Sequence, residues 1–237
     1  MQQAREWIEA ADSVAVLTGA GISAESGVPT FRGSNGLWRE FKPEDLATAE
    51  AFARDPKLVW EWYDWRRQLI AKARPNAGHK ALVELEIRKR IFTLITQNVD
   101  GLHDMAGSGK MLTLHGDIWR LRCTQCGSNW PDRRAPLPKL PPHCACGGLA
   151  RPGVVWFGEP LPDGMMLEAE HAVQSAGVLL VVGTSAVVYP AAGLIPLAKR
   201  QGVKVVEINP EETPYSDMVD CSLRGAAGEF LPKLVKA

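Results

Sequence analysis

Four of the five cysteines lie in a spacing that is typical of metal ligands, a C-x-x-C pair followed by a C-x-C pair: Cys123, Cys126, Cys144 and Cys146. Paired thiolates of this kind bind structural zinc, because a tetrahedral ion takes four ligands and then has no open position for catalysis. His143 is an alternative neighbour of the second pair, which is tighter than the usual C-x-x-C. Two disulfides are another alternative, but nothing else in the sequence suggests a secreted protein. We therefore expect one structural zinc ion, with Cys221 apart from it.

A glycine-rich turn follows the first apolar run of the chain and could hold a dinucleotide. Gly19, Ala20, Gly21 and Ile22 begin a G-x-G-x-x-A pattern, in which glycines let the backbone approach a pyrophosphate at the start of a helix. Such turns also serve only to pack a helix against a strand. A dehydrogenase would have a second strand ending in an acidic residue about 20 residues later, and residues 37–43 contain no such strand. The pattern favours nucleotide binding and weakens the case for hydride transfer.

His115 follows the apolar residues 111–114, which places it at the carboxyl end of a predicted strand, where open α/β sheets bind ligands. An imidazole there could act as a general base near neutral pH, and the alternative is a core or loop histidine with one hydrogen bond. Clusters of polar residues, one of them beginning with a glycine, follow other predicted strands in the same way: Gln97, Asn98, Asp100, Gly183, Thr184, Ser185, Asn209 and Glu211. Asn and Asp also favour simple turns. Convergence of so many polar groups on one sheet edge predicts a binding site.

Short β-branched runs alternate with longer helical patterns, which predicts an α/β fold with a Rossmann-like, doubly wound parallel sheet. We expect strands at Ser13–Leu17, Arg90–Thr96, Met111–Leu114, Gly177–Val182 and Val203–Ile208. We expect helices at Gln2–Ala11, Lys57–Lys72, His79–Lys89, Gly164–Ser175, Ala191–Arg200 and from Ala227 onward. Two segments break the alternation and predict a smaller helical and zinc-ribbon domain formed by two insertions, residues 34–75 and 119–153. The main domain would comprise residues 1–33, 76–118 and 154–237.

The charge balance excludes one class of partner. The 237 residues include 27 Lys plus Arg and 27 Asp plus Glu, so the formal net charge is zero. Nucleic-acid proteins usually have a basic excess, and we expect no such partner. The uncharged stretch Ala172–Ala198 is interrupted by Gly183-Thr184-Ser185 and by Tyr189-Pro190, so a strand, a loop and a helix fit it better than a membrane span. Residues 1–10 lack the apolar run of a signal peptide, and we expect a protein of a prokaryotic cytoplasm without membrane contact.

In order along the chain, these motifs resemble those of the sirtuins, the NAD-dependent protein lysine deacylases, from Val14 to about Gly228. The matching blocks are residues 19–23 (GAGIS), 27–32 (GVPTFR), 96–103 (TQNVDGLH), 114–116 (LHG), 155–159 (VWFGE) and 183–185 (GTS). The resemblance implies a Rossmann-like domain and a small zinc domain. It also implies that NAD, as a co-substrate, and an acyl-lysine protein or peptide enter the cleft between the two domains. NAD would be consumed, with His115 as the general base and Asn98 as a second catalytic residue.

Matching positions then assign binding residues by resemblance. The NAD contacts would be Gly19, Ala20, Gly21, Ile22, Phe31, Arg32, Trp38, Gln97, Asn98, Asp100, Gly183, Thr184, Ser185, Asn209, Glu211 and Ala227. The loop from Gly19 to Trp38 would cover the cofactor. The segment Val154–Glu159 would pair with the substrate backbone as an added strand, with contacts from Val155, Phe157 and Gly158.

Tyr63 and Arg66 lie three residues apart in a predicted helix and therefore share one face. This Tyr-x-x-Arg pair is similar to that of sirtuins that remove succinyl, malonyl or glutaryl groups. A guanidinium beside a phenol suits a terminal carboxylate, and the alternative is a solvated arginine on an aromatic-rich core helix. The expected activity is NAD-dependent removal of succinyl or malonyl groups from protein lysines, with acetyl as a further candidate. The alternatives are a protein mono-ADP-ribosyltransferase and a non-enzymatic zinc-ribbon or NAD-sensing module.

Overall fold

The computed structural model describes residues 1–32 and 36–236 of the chain. Its strands are β1 (Ser13–Thr18), β2 (Ile91–Thr96), β3 (Met111–Thr113), β4 (Gly116–Cys123), β5 (Asn129–Pro131), β6 (Ala150–Val154), β7 (Val178–Val182), β8 (Lys204–Ile208) and β9 (Cys221–Leu223). Its α-helices are α1 (Gln2–Ala10), α2 (Pro43–Leu46), α3 (Ala49–Arg54), α4 (Pro56–Lys72), α5 (Ala77–Arg88), α6 (Leu102–Ala106), α7 (Met165–Gln174), α8 (Leu194–Arg200) and α9 (Ala227–Val235). Three 3-10 helices complete the described elements: Ala20–Ser26, Leu37–Arg39 and Ala191–Gly193.

The central sheet is parallel and has the strand order β3-β2-β1-β7-β8-β9. Its middle strands are almost continuous apolar runs because both faces of the sheet are covered by helices. Residues of α1, α5 and α9 share one core with the sheet, and residues of α7 and α8 share another. The chain leaves β1 to one side toward β2 and reaches β7 on the other. A ligand crevice is expected at the carboxyl ends of the strands where the order reverses in this way.

The predicted doubly wound sheet is confirmed, and all five expected strands are present with small shifts at their ends. The expected helices are also present, although the segment from Ala191 begins as a 3-10 helix and becomes α-helical only at Leu194. The glycine-rich turn does not begin an α-helix but the 3-10 helix Ala20–Ser26, which ends at Gly27 with φ 83°. This left-handed backbone conformation favours glycine, and a residue that adopts it ends the helix.

A second, antiparallel sheet with the order β5-β4-β6 lies in the cysteine-containing region. It packs with α2, α3 and α4 around a separate core rich in tryptophan. Trp60 of α4 donates to the carbonyl oxygen of Ala150 at 2.7 Å. The fully buried Arg67 donates to the carbonyl oxygens of Ile118, Asp132 and Arg134, so one helix connects distant parts of this region. The sequence predicted a zinc-bearing insertion here but none of its strands, so β4, β5 and β6 are a correction to the expected strands.

The exact domain boundaries stay a prediction, and the proposed boundary at residues 33 and 34 lies outside the described residues. None of the helices that the structure describes is both long and apolar enough to cross a membrane.

Candidate functional site

A cavity of about 860 Å³ lies at the carboxyl ends of the central strands, between the main sheet and the tryptophan-rich region. Most residues that the sequence predicts for the site line it: Gly19, Ala20, Gly21, Phe31, Arg32, Trp38, Tyr63, Arg66, Gln97, Asn98, His115, Val155, Phe157, Gly158, Gly183, Thr184, Ser185, Asn209 and Glu211. They come from segments spread over nearly the whole chain. The structure thus brings the predicted polar groups to one place at the point where the strand order reverses.

Three residues predicted for cofactor binding lie outside this lining. Ile22 and Ala227 are buried in the core between the sheet and its helices, and Ala226 lines the cavity where Ala227 was expected. Asp100 is buried and lies beside a neighbouring cavity of about 350 Å³. Their direct contact with a cofactor stays a prediction. Residues 33–35 of the predicted cofactor loop lie outside the described residues.

The glycines of the cavity floor lie so close together that no side chain fits between them. A Cβ atom added to Gly21 would lie 2.7 Å from the Cα atom of Gly183. Gly183 has φ +59°, and a Cβ atom there would lie 2.3 Å from the backbone nitrogen of Ile22. The backbone nitrogen of Gly21 donates to the carbonyl oxygen of Gly183 at 2.7 Å. The result is an open backbone surface of the kind that accepts a pyrophosphate.

Hydrogen bonds hold the polar residues at the strand ends of this floor. The side-chain amide of Gln97, after β2, donates to the Thr184 hydroxyl, after β7, at 3.1 Å. The side-chain amide of Asn209, after β8, donates to the carbonyl oxygen of Glu211 at 2.8 Å. These bonds hold uncharged amides and hydroxyls at the cavity wall, where they can bond a ribose or an amide.

His115 is oriented by the end of β2. Its Nδ1 atom lies 3.1 Å from the carbonyl oxygen of Gln97. Because a carbonyl only accepts, Nδ1 must carry the proton, which leaves Nε2 free as a base. Burial lowers the pKa of His115 below its usual 6.5, although the bond to Gln97 opposes this shift. The imidazole is therefore neutral at neutral pH, the state that a general base needs.

A buried polar network lies behind Asn98, and sequence reasoning missed it. The backbone nitrogen of Asn76 donates to His79 Nδ1 at 3.3 Å, so His79 Nε2 carries a proton and faces the Ser23 hydroxyl at 3.5 Å. Ser23 donates to Asp100 Oδ2 at 2.7 Å, and the Asn98 amide donates to Ser23 at 3.4 Å. Burial raises the pKa of Asp100 and lowers that of His79 to about 4.

The sequence suggested only a helix-terminal position for His79, and the structure confirms that position, since His79 takes part in the capping box of α5. Its second contact, with Ser23, spans 56 residues. Local patterns carry no information about such a contact, and Ser23 itself was visible only as a member of the glycine-rich block.

Tyr63 and Arg66 lie side by side at the wall of the cavity, both on α4. Their exposed fractions are only 3% and 5%. The Arg66 guanidinium carbon lies 4.3 Å from the centre of the Phe31 ring and 5.1 Å from that of the Trp62 ring. Burial lowers the pKa of Arg66 to about 10 and raises that of Tyr63 to about 12. At neutral pH the arginine is therefore charged and the phenol keeps its proton. Both side chains line the cavity, which confirms the shared helix face, and the burial of Arg66 excludes a solvated arginine.

The segment predicted to bind the substrate backbone is held at both ends. The backbone nitrogen of Val155 donates to the carbonyl oxygen of His115 at 2.9 Å, and that of Phe157 donates to Ala47 at 2.9 Å. Glu159 forms a two-point ion pair with Arg151 at 2.5 and 2.8 Å. Phe157 is nevertheless 43% exposed at the cavity mouth. A rigid segment with an exposed aromatic side chain suits the binding of an extended peptide.

The sulfur atoms of Cys123, Cys126, Cys144 and Cys146 lie within 4.8 Å of one another. The Cys123–Cys146 and Cys126–Cys144 sulfur distances are 3.5 and 3.7 Å, and two thiolates on a tetrahedral zinc ion are about 3.8 Å apart. A disulfide would need about 2.05 Å, and all four are free thiols. His143 lies outside the group, with Nδ1 3.1 Å from the carbonyl oxygen of Pro141. The four cysteines therefore fit one structural zinc ion, as predicted.

Comparisons with known proteins agree with this geometry. A family model described as the Sir2 family matches residues 19–190. An NAD-dependent protein deacylase of Aquifex aeolicus is 58% identical, and the alignment covers 94% of this chain and 93% of the relative. A second NAD-dependent protein deacylase, of Thermus thermophilus, is 52% identical, with 99% and 94% covered.

Solved structures are also similar over nearly the whole chain. A Sir2 homologue in complex with ADP-ribose superimposes with a TM-score of 0.96 at 47% identity, covering 99% of this chain and 95% of that one. A Sir2 protein bound to a propionylated peptide has a TM-score of 0.88 at 31% identity, with 99% and 96% covered.

Proposed function

The chain belongs to the Sir2 family and is an NAD-dependent protein deacylase, and we propose that it removes acidic acyl groups, such as succinyl and malonyl, from protein lysines. The products would be free lysine, nicotinamide and the O-acyl-ADP-ribose. Arg66 carries this proposal. It is a buried cation at the cavity wall that has no hydrogen bond or ion pair with the described residues, 1–32 and 36–236.

A buried charge without a partner is costly, because removing one member of a buried ion pair destabilises a protein by about 3–5 kcal/mol. Aromatic faces compensate only part of this cost, at roughly 2 kcal/mol for a desolvated pair. Asp100 favours the charged form of Arg66 but forms no ion pair with it, so the guanidinium keeps a preference for a carboxylate that it can bond at two points. A succinyl or malonyl group ends in that carboxylate, whereas an acetyl group would leave Arg66 unpaired.

Tyr63 supports the same preference. Its hydroxyl is protonated at neutral pH and lies on the same helix face as Arg66. A phenol O–H and a guanidinium together can saturate one carboxylate with hydrogen bonds, so we expect acidic acyl groups to bind with Tyr63 and Arg66 at their far end.

The residues of the cavity floor fit NAD, although Ile22, Asp100 and Ala227 would act from behind the lining. The open backbone at Gly19, Gly21 and Gly183 accepts a pyrophosphate, and we propose that the amides of Gln97 and Asn98 face the nicotinamide half. Ala20, Phe31, Arg32, Trp38, Thr184, Ser185, Asn209 and Glu211 would complete the cofactor contacts. When bound, NAD supplies an activated ribose carbon to which the acyl oxygen can bond as nicotinamide leaves.

His115 supplies the proton acceptor for this reaction. Its Nδ1 proton is held by the carbonyl oxygen of Gln97, and Nε2 has no hydrogen-bond partner in the described part of the chain, so Nε2 can take a proton from a ribose hydroxyl. We propose that the zinc ion has no part in the chemistry and stabilises the region around β4–β6.

The proposal that acylated peptides are substrates is supported by a related protein, a Sir2 protein solved with a propionylated peptide. In this chain we propose that Val155, Phe157 and Gly158 bind the peptide on either side of the acyl-lysine. The segment connects directly to His115 through the bond from Val155, so that peptide binding and the base share one rigid element.

The test is product analysis with a panel of acyl-lysine peptides. Incubation with NAD and a succinyl-lysine peptide should release nicotinamide and succinyl-ADP-ribose, with mass spectrometry as the readout. Fast deacetylation without any desuccinylation would overturn the acidic-acyl proposal. Radiolabelled NAD tests the alternative, because label that stays covalently on protein would indicate mono-ADP-ribosyl transfer.

A further inference from the structure

We infer that Trp156 is a positioning residue for acyl specificity, because its indole N–H directs the hydroxyl proton of Tyr63 toward the bound acyl carboxylate. The Trp156 Nε1 atom lies 3.0 Å from the Tyr63 hydroxyl oxygen, across 93 residues of sequence. The inference rests on the proposed function of the cavity and names a residue that does not itself touch the acyl carboxylate.

The direction of this hydrogen bond follows from the two groups. An indole N–H can only donate, so the phenol oxygen must accept, and the phenol proton must point elsewhere. Within the described part of the chain, the Tyr63 hydroxyl makes no other hydrogen bond. Tyr63, Arg66 and Trp156 all line the cavity. The free proton is therefore available to an acyl oxygen that reaches Arg66.

Trp156 can set this direction because the indole is itself held firmly. The Arg151 guanidinium carbon lies 3.5 Å from the centre of its ring, and the Phe52 ring centre lies 5.3 Å away. The backbone nitrogen of Trp156 donates to Glu159 at 2.9 Å, and Glu159 pairs with Arg151. Only 3% of Trp156 is exposed. A donor that is buried and held by these contacts keeps the phenol in one orientation before the substrate arrives.

Without the indole N–H, the phenol can rotate its proton away, and its oxygen loses its buried donor. Recognition of a carboxylate then suffers more than recognition of an acetyl group, which lacks the terminal carboxylate that would accept the phenol proton. Loss of packing alone would act differently, since a displaced segment 154–159 would harm every acyl-peptide to a similar extent.

The test compares Trp156→Phe, Tyr63→Phe and the double variant on succinyl-lysine and acetyl-lysine forms of one peptide. We expect Trp156→Phe to raise KM for the succinyl peptide by roughly tenfold relative to the acetyl peptide. The double variant should be no worse than Tyr63→Phe, because both changes remove the same hydrogen bond. Trp65→Phe is the matched control. It changes a tryptophan of α4 that does not line the cavity, and it should leave the succinyl-to-acetyl ratio unchanged.

A second substitution keeps the test decisive if phenylalanine disturbs packing. Incorporation of 3-benzothienylalanine at position 156 replaces the indole N–H by sulfur with nearly the same ring shape, and it should reproduce the selective rise in KM. Equal losses on both acyl peptides with either substitution would overturn the inference, as would multiplicative losses in the double variant. A native enzyme with no desuccinylation would overturn the proposed function and this inference together. Desuccinylation that depends on Tyr63 but not on Trp156 would overturn the inference alone.

Discussion

The guanidinium carbon of Arg66 lies 4.3 Å from the centre of the Phe31 ring and 5.1 Å from that of the Trp62 ring, so aromatic faces lie against this buried cation, which forms no ion pair with the described residues, 1–32 and 36–236. Phe31 stacks on Trp38 at 5.1 Å, and Trp38 stacks on Trp62 at 5.7 Å. Phe31 and Trp38 belong to the predicted cofactor loop, whereas Arg66 belongs to α4. The wall of the cavity that contains Arg66 and the loop predicted to bind the cofactor are therefore in direct contact.

Replacing Arg66 by methionine should remove the carboxylate partner while keeping much of the side-chain volume. We expect kcat/KM for a succinyl-lysine peptide to fall on the order of 100-fold, because a charge-assisted two-point bond is lost. Deacetylation should fall far less. Lys72→Met is the matched control, since it removes a cation from the same helix at an exposed position outside the cavity lining. Equal losses with both acyl groups would mean that Arg66 only supports the fold.

The pH profile should reflect the buried state of His115. The neutral imidazole is the active base, and burial lowers its pKa below 6.5. The imidazole therefore stays neutral as the pH falls below 6.5, and kcat/KM should decline only at a more acidic pH. Values of kcat/KM measured from pH 5 to 8 with one peptide would show this acidic decline. A decline of kcat/KM that begins above pH 6.5 would contradict this environment for His115. The variant His115→Ala lacks the base and should show no such decline.

The close approach of Gly183 to the glycine-rich turn should be essential for NAD binding. In Gly183→Ala, the added Cβ atom would lie 2.3 Å from the backbone nitrogen of Ile22, so the cavity floor must shift. We expect NAD affinity, measured by calorimetry, to fall more than about tenfold. Gly202→Ala is the control, because Gly202 also has a positive φ, +74°, but open space around it. It should cost about 1 kcal/mol of unfolding free energy and leave NAD affinity unchanged.

Cys126→Ser should release the metal, because a serine hydroxyl is a poor zinc ligand beside three thiolates. The free energy of unfolding should fall with it, since metal binding contributes directly to folding. Cys221→Ser, outside the cluster, should keep one equivalent of zinc. Zinc content measured by a colorimetric chelator decides the matter, and a Cys126→Ser protein that retains a full equivalent would contradict the assignment.

The parallel sheet could be predicted from the sequence because each of its longer strands is a β-branched apolar run that is buried on both faces. The strands β4, β5 and β6 could not be predicted in this way, because as a group they contain glycine and proline and are stabilised by pairing with distant segments. The Tyr63 and Arg66 pair was visible because helical spacing places both on one face. The contact of Tyr63 with Trp156 could not be predicted, because 93 residues separate the two in the sequence.

The most direct test of the account compares two peptides that differ only at the acyl terminus. One carries succinyl-lysine, and the other carries the succinamoyl form, in which a neutral carboxamide replaces the carboxylate. We expect the native enzyme to prefer the carboxylate by roughly 100-fold in kcat/KM and Arg66→Met to abolish most of that preference. Equal kcat/KM values for the two peptides with the native enzyme would contradict the claim that Arg66 recognises an acidic acyl group.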